Sequence, residues 1–207
     1  MSRGLEALSH SSTPTPCSPS ADGAPALPVL VRSYIRHNRP KLLDQLRYFE
    51  RLPSLECAVE TAAIAKDSRG KRLHHQRRLT RSALTYAKEN LLSSLPRIRN
   101  CRSFDQLHQL VDKSVCEIRG LGELYVYDTS IRVGAHLNLW PEQVYLHAGA
   151  RKGAKALGFS GGVSRVKPRD MPVAIQELKP HEIEDFLCIY KLELAKLRTG
   201  GTGSQVE

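Results

Sequence analysis

Aromatic side chains are scarce in this sequence: phenylalanine, tryptophan and tyrosine together make up 6% of its 207 residues. That scarcity argues against a single-strand binding platform, which needs a row of rings for bases to stack on. Long apolar runs are absent too. No stretch of about 18 apolar residues occurs, so no transmembrane helix and no membrane partner is expected. The opening residues Met1-Ser2-Arg3-Gly4-Leu5-Glu6 lack the apolar stretch of a secretory signal. The five cysteines (Cys17, Cys57, Cys101, Cys116, Cys188) form no CxxC pair, and no HExxH occurs. Neither a metal site nor any other cofactor is therefore expected. An odd, irregular set of thiols fits reduced cysteines in a cytoplasmic protein. Cys116 and Cys188 sit in apolar-periodic stretches and are expected in the core. Acidic residues are also in deficit: 21 Asp and Glu against 31 Lys and Arg leave a formal charge of +10. Such an excess attracts polyanions, of which nucleic acid is the commonest.

What is present divides into a tail and a helical body. Residues 1 to 28 are rich in Ser, Thr and Pro, cannot bury enough apolar surface to offset their ordering entropy, and read as disordered. Residues 29 to 198 read as a single all-α domain, and residues 199 to 207 as a fraying end. Leu42, Leu43, Leu46 and Phe49 line one helix face, stopped by Pro53. Leu55, Val59, Ala62 and Ala63 form the next stripe, interrupted by Asp67-Ser68-Arg69-Gly70. Ala83, Leu84, Ala87 and Leu91 form another, ended by Pro96. Ser103 and Gln106 have capping-box spacing and open a helix through Phe104, Leu107, Val111, Val115 and Ile118. Pro141 suits the first turn of a short helix. Pro180 opens a last helix, whose Glu182, Glu184 and Asp185 suit its start and whose Lys191, Lys196 and Arg198 suit its end. Leu124 to Tyr127 and Val173 to Ile175 are the short strand candidates.

The segment Cys116-Glu117-Ile118-Arg119-Gly120-Leu121-Gly122-Glu123 puts a Gly-x-Gly turn between two amphipathic helices. Glycine there opens backbone conformations closed to other residues and lets a phosphate reach the amides of the next helix start. With Ile118, Gly120, Leu121 and Gly122, the segment resembles the helix-hairpin-helix family over about 20 residues. Arg119 stands where that family usually has proline, and Val126 where it has alanine. The resemblance implies that the amides of Glu123 and Leu124 bind a DNA phosphate, helped by Arg119 or Arg132. The other reading is a helix-helix turn with packing glycines, and Glu123 beside a phosphate would be repulsive. Asp128-Thr129 resembles the Asp-Thr of helix-hairpin-helix DNA glycosylases, but it follows the turn too closely, and the lysine of the bifunctional members is missing. Asp128 is instead expected to pair with Arg132 at i, i+4.

Two further stretches carry charge. Between Lys66 and Arg81 lie seven cations and one acid, including Arg72, Arg77 and Arg78 beside His75 and Gln76. Guanidinium forks at this density suit phosphate oxygens, while a solvated basic helix start is the plainer reading. In Tyr145 to Gly158, Gly149 and Gly153 permit close backbone approach, of a neighbouring helix or of a phosphate in a second hairpin. Arg151, Lys152 and Lys155 make the exposed side positive. Over roughly residues 40 to 195 the chain resembles a bacterial protein family; this implies a single α-helical unit and no particular activity.

The leading expectation is a protein that binds duplex DNA by its backbone, largely without sequence preference. Arg72, His75, Arg77, Arg78, Arg119, Gly120, Gly122, Arg132, Arg151 and Lys152 would carry the contact. A rival is an enzyme acting on a nucleic acid or another phosphorylated substrate, with His75, Arg78, Asp128, His147 and Arg151 in one cleft. His75, Asp128 and His147 would be its catalytic candidates. A third is an interaction module whose basic face meets an acidic protein.

Overall fold

The structure, a computed structural model, describes residues 26–73 and 76–199. Helices dominate: α1 (Leu27–His37), α2 (Arg39–Glu50), α3 (Leu55–Ala63), α4 (Arg81–Ser93), α5 (Leu95–Arg99), α6 (Phe104–Val115), α7 (Glu123–Leu137), α8 (Ala148–Ala156), α9 (Pro180–Ile189) and α10 (Lys191–Thr199). A two-stranded antiparallel ribbon pairs β1 (Val144–Tyr145) with β2 (Arg165–Val166). The all-α expectation therefore holds, and none of the described helices is long and apolar enough to cross a membrane. Helix α1 begins ahead of the expected boundary at residue 29, with Pro28 in its first turn. The rest of the Ser/Thr/Pro-rich tail, residues 1–25, lies outside the described residues, as do residues 200–207.

Local signals set many of the boundaries. The Ser54 and Thr80 side chains accept from the Cys57 and Ala83 amides at the starts of α3 and α4. Ser103 caps α6 by accepting from the Gln106 amide. The reciprocal bond differs from a capping box: the Gln106 side chain accepts from the amide of Arg102, one residue before the cap. Other expectations are overturned. Leu124–Tyr127 lies inside α7 and Val173–Ile175 forms a single 3₁₀ turn; the ribbon forms elsewhere because α7 is buried by helices on several sides. Pro141 sits in the irregular link before β1. The final helix is two: Tyr190 ends α9 and α10 starts afresh, so Lys191 and Lys196 belong to a different helix from Glu182 and Glu184. The basic stretch is a loop with a Lys66–Arg72 bridge rather than a helix start. Asp67 Oδ1 orders it by accepting from the Lys71 and Arg69 amides, each at 2.9 Å. Cys116 is exposed, because it caps the end of α6, and Cys188 is half-buried.

Two hydrophobic clusters meet at β1. Helices α2 to α7 contribute the first, around Phe49, Leu91, Leu107 and Val111. Helices α1, α8, α9 and α10 contribute the second, around Tyr34, Ile183, Phe186 and Leu187. Successive strand side chains point to opposite faces, so Tyr145 joins the first cluster and Val144 the second. Helix α7 is the central element of the first cluster, packed by α2, α3 and α6. In the second, α8 lies against α9 with glycine at the contact. A Cβ at Gly153 would fall 2.9 Å from the Leu187 carbonyl carbon, and one at Gly149 would fall 2.5 Å from Cys188 Sγ. Of the two readings for this Gly-x-x-x-Gly pair, close helix packing is the one realised.

Candidate functional site

The junction of the two clusters is polar. His147, the residue preceding α8, is buried, and its Nε2 bonds Glu184 Oε1 on α9. Both side chains are almost fully enclosed, and the α8–α9 contact made by Gly149 and Gly153 brings them together. Burial pulls the imidazole pKa down, but the Glu184 carboxylate more than offsets this, with smaller help from Asp128 and Glu123. His147 therefore titrates above an ordinary histidine. With Nε2 committed to Glu184, Nδ1 is left buried and without a partner among the described residues.

Helix α7 supplies the facing wall. Its Tyr127 is buried, lies tilted with its ring 5.7 Å from the His147 ring, and has a hydroxyl with no partner among the described residues. Burial and the neighbouring carboxylates, Glu184 first, hold that phenol well above its ordinary pKa, so it stays an O–H. One residue on, Asp128 Oδ2 accepts from Gln76 Nε2 at 2.6 Å and from Arg132 at 3.2 Å. The expected i, i+4 pair thus exists. Its Arg132 is 1% exposed, which corrects its assignment as a DNA contact: the guanidinium is sealed inside, holding Asp128. The Gln76 bond pins the basic loop against α7, so the exposed Arg77 and Arg78 lie beside that helix.

His147 and Tyr127 border a cavity of about 160 Å³, walled further by Tyr145, His108, Glu123 and Arg151, with Ser164 and Arg165 at its other edge. The rings of this region form a continuous set. Tyr145 lies 4.6 Å from His108 and 5.7 Å from Tyr127, and the Arg165 guanidinium sits 4.5 Å above the Tyr145 ring. Burial depresses the His108 pKa, with Arg165 adding to the effect, so this second imidazole is shifted the opposite way from His147. The Tyr145 hydroxyl donates to Asp105, which also takes Arg165 at 3.2 Å. Other depressions, such as one of about 410 Å³ beside Tyr48 and Arg51 and one of about 250 Å³ beside Trp140, are bordered by none of the unpartnered buried polar atoms.

The Gly-x-Gly turn adjoins this cavity through Glu123. Gly120 has φ +95°, a conformation that favours glycine, and Gly122 caps α7. A Cβ at either glycine would meet nothing within 4 Å, so the turn is open to the outside rather than packed. Glu123, the first residue of α7, is paired with Arg151 at 3.0 Å, and the same guanidinium nitrogen donates to the Leu146 carbonyl at 2.6 Å. The carboxylate that opposes an anion at this turn is thereby tied to a cation in a solvent-exposed pair.

Of the residues singled out in sequence, the structure gathers Gly122 (through Glu123), His147 and Arg151 around one place and sets Asp128 just behind it. Arg119 and Lys152 are exposed. Arg72 is half-buried and donates to the Leu79 carbonyl at 2.7 Å, shaping the loop. His75 lies outside the described residues. Glu184, Tyr127, Tyr145, His108 and Arg165 were not among the candidates, although Tyr127 and Tyr145 stand inside the motifs quoted. Compared with protein-family models, curated proteins and solved structures, the chain matches none.

Proposed function

We propose that this protein binds duplex DNA by its phosphate backbone, largely without sequence preference, at the turn between α6 and α7. The observation that carries the reading is the open Gly120–Gly122 turn at the start of a 15-residue helix whose one discordant carboxylate, Glu123, is held by Arg151. First-turn amides and the helix dipole favour an anion at such a place. Exposed cations add to the positive charge: Arg119 in the turn, Lys152 beside Arg151 on α8, and Arg77 and Arg78 on the loop that Gln76 ties to Asp128 of α7. Contacts of this kind hold a duplex in position and carry no sequence information.

Fluorescence anisotropy of a labelled duplex across a salt series tests the proposal. Affinity should fall steeply with salt, with a log–log slope of about −0.9 for each phosphate neutralised. Gly122→Glu has room to fold, because its Cβ position is open, yet it adds charge where the phosphate would sit. Binding should be lost in this variant while its circular dichroism is unchanged. Equal binding by both proteins would remove the turn from the interface.

A further inference from the structure

We infer that the groove between α5 and α6 is an anion site that takes a phosphoryl group; the inference goes beyond the DNA-binding reading and does not depend on it. The groove holds about 260 Å³, just below the roughly 300–1,000 Å³ of sites for drug-sized ligands, so a phosphoryl group with a small attachment fits. Arg97 borders it from α5 and Lys113 from α6, and among the described residues no Asp or Glu does. Elsewhere the fold pairs several of its cations, as in Arg39–Glu182, Lys88–Glu60 and Arg165–Asp105. Neither Arg97 nor Lys113 belongs to an ion pair among the described residues, and the exposed Arg99 and Arg102 beside them belong to none either. Like charges that border one cavity repel, and an anion between them removes the repulsion.

Helix α6 sorts its charges by face. Gln106, Gln109, Leu110 and Lys113 recur at helical spacing and border the groove. Asp105 and Asp112 share a different face with His108: Asp105 takes Tyr145 and Arg165, and Asp112 counters the depression of the His108 pKa. Both acids of α6 therefore lie off the groove face. The polar groups left there are donors. Gln106 Oε1 accepts from the Arg102 amide at 2.8 Å, which leaves the Gln106 NH₂ to donate, and the Asn100 and Gln109 amides add to it. The Arg97 and Ile98 carbonyls at the end of α5 are taken by the Asn100 and Cys101 amides. Cations and amide donors on two walls suit a guest that is negative and only accepts. A phosphoryl group has three acceptor oxygens pointing different ways and can meet both walls, whereas a planar carboxylate has two.

Two sources offer this chemistry, the backbone of a duplex and a small phosphorylated molecule, and Cys101 reports on either. It is half-buried and borders the groove; burial pushes its thiol pKa up, and Arg97 pulls it down. A phosphate seated on Arg97 both shields the sulfur and cancels that pull, so the reactive thiolate becomes scarcer. Cys116 is exposed and lies outside the groove, which makes it the internal control.

The full chain is tested by alkylation with iodoacetamide, read cysteine by cysteine by peptide mass spectrometry, with inorganic phosphate titrated at constant ionic strength. Phosphate should slow Cys101 saturably by about threefold or more, since the thiolate is the species alkylated, and leave Cys116 unchanged. Gln109→Glu puts a carboxylate on the groove face, and Arg97→Gln combined with Lys113→Gln removes both cations. All three positions are exposed, so both variants should keep the fold, which circular dichroism checks. Each should lose the protection. Lys41→Gln removes a positive charge from an exposed position on α2, away from the groove, and should keep it. The inference is overturned by a Cys101 rate that phosphate leaves unchanged, by equal slowing of Cys101 and Cys116, or by protection that Lys41→Gln loses as readily as the groove variants. Once inorganic phosphate protects, two further titrations identify the source. Protection by a paired duplex at concentrations far below those of inorganic phosphate assigns the site to a nucleic-acid backbone. Protection by glycerol phosphate and not by the duplex assigns it to a small phosphorylated molecule.

Discussion

Replacing Gly153 with alanine should destabilise the protein, although alanine is the better helix former by about 1 kcal/mol. The reason lies in what its Cβ would meet. It would stand 2.9 Å from the Leu187 carbonyl carbon and 3.0 Å from Leu187 Cα, and nearer still to the carbonyl oxygen. These are backbone atoms of α9, so no side-chain rotation relieves the clash, and α8 must move off α9. Overpacking a well-filled site costs typically about 1–3 kcal/mol and more when backbone must shift. Set against the propensity gain, the net loss is up to about 2 kcal/mol, or up to about 8 °C in Tm for a domain of this size. The movement also parts His147 from Glu184, because the two ride on the elements being separated. Thermal unfolding followed by circular dichroism measures the effect, with Gly162→Ala, whose Cβ would meet nothing, as the neutral control. Gly149→Ala should cost less, since the obstacle there is Cys188 Sγ, and Cys188→Ala should restore it in the double variant. An unchanged or raised Tm for Gly153→Ala would refute the argument that glycine is required at this crossing.

Two other perturbations follow from the buried polar groups. Arg132→Met strands Asp128 against a buried face, and breaking such a pair typically costs about 3–5 kcal/mol; a urea-unfolding loss below about 1 kcal/mol would show that Asp128 does not depend on it. Burial holds His181 down to about 4, so the unfolded chain takes that proton first; the stability tied to its neutral form is present above about pH 6.5 and lost as pH falls towards 4, up to about 3 kcal/mol. Tm measured from pH 7.5 to 4.5 should fall more steeply for the wild type than for His181→Gln, and parallel curves would count against the assignment.

The helical body was legible because its signals are local. Stripes such as Leu46–Phe49 and Leu107–Val111, and the cap at Ser103, depend on neighbours three or four residues away. The Asp128–Arg132 pair was readable for the same reason. The break at Tyr190 was not, because nothing in Ile189-Tyr190-Lys191 resembles a stop signal, and the charges on either side fit one dipole as well as two. The site was harder still. Glu184 meets His147 across 37 residues and Gln76 meets Asp128 across 52, and no periodicity reports such pairs. A usable signal lay in the rings: Tyr127, Tyr145 and His147 stood inside two of the three stretches already singled out for charge and glycine.

Burying ionisable groups is a poor way to gain stability, and this protein does it at one junction. Arg132, Glu182, Glu184 and His147 are all enclosed, and well-packed apolar residues in such places often stabilise a fold more than the ions they replace. Some of these groups have structural work: Glu182 takes Arg39 at 2.8 Å and bonds the Lys179 amide at the start of α9, and Arg132 neutralises Asp128. His147 and Tyr127 differ, since both residues border a cavity and each has a buried polar atom with no partner among the described residues. Perturbed titratable groups gathered in a cleft are candidates for a functional site. The enclosed charges and the cavity thus lie side by side where α7, α8 and α9 meet, and mutating His147 or Glu184 tests whether the proposed function draws on them.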